Sequence, residues 1–195
     1  MRWRAVLVPV LLAIGAPACA PARDGFSSID DYVETPIQYQ AHNAGRAGEI
    51  KQDDLFFVFR AGVADLYEIA LAELAEQKSA NPAIAYFARS TRADATQNHW
   101  QLTLLARSNL GIAPPLLLDR DHTVARDQIA ALDGAAFDRA YLRAAVRSCD
   151  DTIVVYTHEA RFGGPPVMNR FAAAGVPRFE LQKQVAEMLV ARQDH

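Results

Sequence analysis

Cysteine is scarce: two residues in 195, so a disulfide framework cannot carry the stability and the fold must rest on an apolar core. A basic block is also missing. With 20 Lys and Arg against 23 Asp and Glu spread along the chain, and a net charge of -3, there is no electrostatic footprint for nucleic acid or for an anionic membrane surface. Beyond residue 20 nothing is continuously apolar over the roughly 20 residues that a membrane-spanning helix requires. Period-two alternation is too short for a strand everywhere except the ambiguous run from Thr152 to Tyr156, which is absorbed into a helix. Chemistry-bearing spacings are missing too. His42, His99, His122, His158 and His195 are scattered, without zinc or haem spacing, and Ser90, Ser108 and Ser148 lack a nucleophile-elbow context.

What is present begins with export grammar. Arg2 and Arg4 precede an apolar run from Val6 to Ile14, followed by the small residues Ala16, Ala18 and Ala20, so residues 1–20 read as a signal peptide. Cys19 is the lipidation candidate, placed like the acylated cysteine of a bacterial lipoprotein; ordinary cleavage near Ala18 or Ala20 is the alternative. Residues 21–52 are polar and aperiodic, with Gly25, Gly45 and Gly48, and read as a flexible linker. The domain is then expected over 53–193.

Asp53 and Asp54 are good N-cap residue types. After them Phe56, Phe59, Val63, Leu66 and Ala70 recur at three-and-four spacing, predicting a helix to about residue 78 with Phe57 turned outward. Asn81 and Pro82 open a second helix, with Ile84, Phe87, Thr91, Leu102 and Leu105 inward and Asp94 and Ala95 on the same side. Gly111 and the pair Pro114-Pro115 end it, and a short helix follows over 121–132. Asp133-Gly134 then breaks before a long segment over 137–161, whose inward residues are Leu142, Ala145, Val146, Cys149, Ile153, Tyr156 and Ala160. After Gly163 to Pro166 a last helix carries Val167, Phe171, Leu181, Val185 and Leu189 inward, with a kink or restart expected near Pro177. The expectation is an all-α fold: an antiparallel four-helix bundle, ferritin-like, with a short extra helix in the crossover.

The stretch from Leu132 through Asp133-Gly134-Ala135-Ala136-Phe137-Asp138-Arg139-Ala140 to Tyr141 resembles the signature of a bacterial envelope family, the domain of unknown function 4142. Matches around Glu68-Ile69, from Ala88 to Asp94, from Gly111 to Pro114 and at Val176-Pro177 support it, and the resemblance covers roughly 53–190. It implies an Asp-His pair in the second helix, a histidine in the middle of the long segment and another early in the last helix. This chain carries Ala95, Cys149 and Gln182 at those positions, which marks it as a divergent member without the imidazoles a transition metal prefers.

Ferritin-like di-iron sites need Glu-x-x-His motifs, and none occurs. Glu68, Glu73, Asp94 and Glu180 read as face or rim carboxylates, His99 and His158 as surface groups, and Asp138 with Tyr141 as residues positioning the start of the long helix. Asp94 and Cys149 are the metal candidates, since both are expected to project inward; against this stand a small apolar role for Cys149 and pairing of Asp94 with an arginine such as Arg178. The Phe56, Phe57 and Phe59 cluster is ordinary surface or, alternatively, a partner-binding patch. These features point to an exported envelope protein, a non-enzymatic binding or structural module with a degenerate metal-type site, no catalytic residue and no cofactor. The alternative is a metal- or redox-linked envelope enzyme or stress protein holding a transition metal on Asp94 and Cys149. Expected partners are a membrane lipid anchor and a protein, not nucleic acid; the expected location is the periplasm or the periplasmic face of the outer membrane.

Overall fold

The computed structural model describes residues 50–193. They form five helices and no strand: α1 Gln52–Lys78, α2 Pro82–Asn109, α3 Arg120–Ala130, α4 Gly134–Phe162 and α5 Pro166–Gln193. Local chemistry fixes most of the ends. Asn81 accepts a hydrogen bond from the Ala83 N–H at 3.0 Å ahead of Pro82, and Asp119 accepts one from the His122 N–H at 2.8 Å. Gly111 and Gly134 take positive φ, a conformation that side-chain-bearing residues resist, where α2 gives way to the crossover and where α4 begins. α1 starts one residue before the expected Asp53: the Asp54 carboxylate reaches back to the Lys51 N–H at 2.7 Å.

Helix α1 packs on α2 and α4, α5 packs on α4 and α2, and α3 lies against α1 and α4. The start of α1 meets the end of α4, where Asp54 accepts from the Gly164 N–H at 2.7 Å and the Lys51 Nζ donates to the Phe162 carbonyl at 2.7 Å. Its other end meets the start of α4, through Lys78 and Asp133 at 2.9 Å. Two glycines permit close approach. A Cβ on Gly62 would lie 2.6 Å from Pro114 Cβ, so the crossover is seated on α1; one on Gly175 would lie 2.6 Å from the Tyr156 ring, so α5 touches α4 there.

The core divides along the bundle into two apolar clusters. One gathers Tyr67, Leu71, Ile84, Phe87, Phe137, Tyr141, Leu142 and Leu189; the other gathers Phe57, Val58, Leu102, Tyr156, Met168 and Phe179. Each fully buried large apolar side chain contributes about 2 kcal/mol. Between the clusters every long helix contributes polar groups: Asp65 and Glu68, Asn98, Ser148, Arg178.

Two expected faces are corrected. On α1 Phe57 is 1 % exposed and Phe56 43 %, the reverse of the expected orientation, because the inward seam runs through Asp54, Val58, Ala61, Asp65, Glu68, Ala72 and Ala75. Three acids on that seam hide it from apolar periodicity. On α5 Leu181 is exposed, and Met168, Ala172, Gly175, Phe179, Ala186 and Leu189 are buried. The helix runs unbroken through Pro177, and its seam lies one position after the expected Val167, Phe171 and Val185, which are half-buried at its edge. Pro177 and Ala173 both face outward, so the carbonyl that proline leaves unpaired is turned toward water.

The pole where α1, α4 and α5 meet also holds buried acid. Asp54 and Glu159 are both 0 % exposed and adjacent. Burial, then the Asp54 carboxylate, pushes Glu159 up to about 8. Residues 1–49, with the expected signal peptide, Cys19 and most of the linker, lie outside the described residues, as do His42 and His195.

Candidate functional site

The polar layer between the two apolar clusters is built around Asn98. Its amide nitrogen donates to the Asp65 carboxylate at 2.8 and 3.1 Å and reaches the Tyr156 hydroxyl at 2.6 Å, while its oxygen accepts from Arg178 Nη2 at 2.6 Å. Four helices thus converge on one side chain. The Arg178 guanidinium also lies 4.6 Å from the centre of the Phe179 ring, a contact that holds the cation at the edge of the core. His99 Nδ1 sits 3.8 Å from the Asp65 carboxylate.

One α-helical turn along α1, Glu68 faces Ser148, whose hydroxyl lies 3.5 Å from its carboxylate. The electrostatics of the layer are set by desolvation. Burial lifts Asp65 well above the ordinary carboxylate range, against the Asn98 hydrogen bond, and lifts Glu68 to about 7 against Gln182, Arg178 and Ser148. Burial likewise raises the Tyr156 phenol and lowers His99. A cleft of about 270 Å³ opens beside the layer beneath α3, lined among others by Tyr67, His122, Arg147, Ser148 and Thr152, so Ser148 borders both the cleft and Glu68.

The residues singled out from the sequence are dispersed. Asp94 is exposed on α2, a correction to its expected inward placement: Thr91, Ala95 and Asn98 take the buried seam and leave 94 one position off it. Cys149 is fully buried on α4, its thiol pushed far up by burial and then by Glu68. Arg178 pairs with Asn98 and not with Asp94. Glu73 and Glu180 are exposed as expected, whereas Glu68 is buried and not a rim group. His158 is exposed beside Phe162, but His99 is half-buried and turned toward Asp65. Asp138 is buried near the start of α4.

Asp65 and Asn98 were missed. Their only sequence signal is phase: Asp65 falls between Ala61 and Ala72 on the α1 seam, and Asn98 between Ala95 and Leu102 on that of α2. Ala95 and Cys149, two positions where the resemblance places histidines, are buried along this middle stretch, and Gln182, the third, faces Glu68. Among the described residues no three His, Cys, Asp or Glu side chains gather as a metal-binding group.

The fold is similar to two solved structures, CopM in the Cu(II)-bound form and CopM in the Cu(I)-bound form. Identity is 15 % and 16 %, coverage 72 % and 73 % of this chain and 96 % and 97 % of theirs, and the TM-score is 0.61 in each case. No curated protein matches the sequence. The family model described as Domain of unknown function (DUF4142) matches residues 40–189, which takes in all of α1 to α4 and most of α5, and the chain belongs to that family.

Proposed function

We propose that this is an exported bacterial envelope protein whose antiparallel four-helix, ferritin-like bundle is a non-enzymatic binding or structural module. One observation carries the reading. In the central layer the polar groups are committed to one another: the Asp65 carboxylate to Asn98, Asn98 to Arg178 and Tyr156. A buried network that joins four helices through one amide favours one arrangement of them and serves as scaffold, with Arg178 Nε, His99 Nδ1 and Gln182 Nε2 at its margin finding no partner among the described residues. Export places the bundle in the periplasm or on the periplasmic face of the outer membrane, held by a lipid on Cys19 and presenting its helices to a protein partner. Mass spectrometry of the mature N-terminus tests the anchor: a diacylglyceryl-modified Cys19 supports it, and an unmodified start near Cys19 or Pro21 removes it.

A second reading is favoured by the copper-bound forms of the structurally similar CopM: a transition-metal protein of the envelope, whose ligands expected from the sequence are Asp94, exposed on α2, and Cys149, buried on α4. Metal analysis of protein purified without chelators separates the two. The module reading expects substoichiometric copper, iron, zinc and manganese; stoichiometric metal that disappears in Asp94→Ala or Cys149→Ser overturns it in favour of the second.

A further inference from the structure

At the pole formed by the start of α1, the end of α4 and the start of α5, three oxygen-bearing side chains from three helices converge. Asp54 and Glu159 are completely buried and adjacent. Asn169, on the first turn of α5, donates its amide nitrogen to the Gly163 carbonyl at 3.1 Å, which turns its oxygen the other way. That oxygen and a Glu159 carboxylate oxygen both crowd Gly163: a Cβ placed there would lie 2.4 Å from Glu159 Oε1 and 2.6 Å from Asn169 Oδ1. The absence of a side chain at 163 makes this meeting of oxygens sterically possible.

The hydrogen bonding is one-sided. Both Glu159 oxygens and Asn169 Oδ1 are buried and accept no hydrogen bond among the described residues. The nearby cation does not serve them, since Lys51 Nζ is turned to the Phe162 and Gly163 carbonyls at 2.7 and 3.5 Å. Asp54 is fixed by the N–H groups of Lys51 and Gly164, each at 2.7 Å, which leaves lone pairs on the Glu159 side. A single proton shared between the two carboxyls serves one of the three orphan acceptors directly and leaves others uncompensated. A cation serves all of them at once and offsets both charges.

We propose that Asp54, Glu159 and Asn169 form a binding site for one hard divalent cation, with Ca²⁺ as the ion that suits it. Carboxylate and amide oxygens select hard ions over the soft and borderline metals that favour sulfur and imidazole. Ca²⁺ accepts irregular oxygen shells and sheds water readily, whereas Mg²⁺ demands near-octahedral geometry and retains its waters; a buried cluster of mixed donors therefore fits Ca²⁺. The site is remote from the central layer and independent of the reading given for it. Bound there, the ion ties the first turn of α1 to the α4–α5 turn.

The test is Ca²⁺ titration of the chelator-treated full chain by calorimetry, with thermal unfolding in parallel. The expected result is one Ca²⁺ per chain and a raised Tm. Binding should be lost in Glu159→Gln and weakened in Asn169→Ala, both checked as helical by circular dichroism. No uptake by folded wild-type protein overturns the proposal, as does uptake that is unchanged in Glu159→Gln, which would place the ion elsewhere.

Discussion

The middle of the bundle and its pole both bury two carboxyl groups, but they treat them in opposite ways. Around Asp65 the neighbouring helices supply Asn98, Tyr156 and Arg178, so the acid is enclosed by a network that α2, α4 and α5 share. Around Glu159 the neighbours are another carboxylate and an amide oxygen, and the local lysine looks away. The first arrangement gives its acid an amide donor and ties four helices together, leaving nitrogen atoms of His99, Arg178 and Gln182 beside it without partners among the described residues. The second is frustrated unless something positive enters. Burial of an acid is thus not one property: the partners decide whether the site is framework or receptor.

The largest break in this contrast comes from the hub. Asn98→Ala leaves Asp65, the Tyr156 hydroxyl and Arg178 without their shared partner, and the expected loss is about 3–5 kcal/mol of unfolding free energy by urea denaturation. A loss below about 1 kcal/mol would show that water replaces the amide freely.

Next comes pH. Glu68 is raised from 4.5 to about 7, so between those values the folded chain keeps a proton that the unfolded chain has released. Its contribution is therefore full below about pH 4.5 and is lost as pH climbs through 7, a decline on the order of 3 kcal/mol. Denaturation midpoints measured across that range should flatten in Glu68→Gln; an unchanged slope would assign the effect to other groups.

At the pole the sign of a substitution should reverse. In calcium-free protein above about pH 8, where Glu159 has lost its proton, Glu159→Gln replaces an acceptor by a donor beside Asp54 and is expected to stabilise the fold by about 1–2 kcal/mol. Destabilisation under those conditions would mean the pole is as well partnered as the centre. Smallest of all is Ser148→Ala: its hydroxyl is 3.5 Å from Glu68, a long contact, and the expected cost stays below about 1 kcal/mol in the same urea assay.

Much of the architecture could be read from the chain because helix ends are local. Asn81-Pro82, Gly111 and Gly134 mark their boundaries through their own backbone chemistry, and the helices fall close to where those signals place them. Facing is not local. Apolar periodicity chose Phe56 over Phe57 because the seam of α1 carries Asp54, Asp65 and Glu68, residues that a hydrophobic count assigns to solvent. On α5 the apolar count followed Val167, Phe171, Leu181 and Val185, one position before the seam of Met168, Ala172, Gly175, Phe179 and Ala186, which is built largely of small residues. The central site was less legible still, since Asn98 acquires its meaning only when Asp65, Tyr156 and Arg178 arrive from three other helices. Cys149 is inside, as its phase on the long helix implies, and burial raises its thiol.

The seat of the crossover on Gly62 has a consequence for where the chain tolerates being opened. Pro114 and Pro115 are wedged on the α1 backbone, while Leu116 and Leu117, immediately after them, stand 80 % exposed. The connection is therefore a fixed half joined to a free half. New termini or an inserted sequence belong at 116–117, beyond the wedge, where the prolines stay seated on α1 and the packing of α1 on α4 and of α2 on α5 holds the two halves together even when the covalent link between them is cut or lengthened.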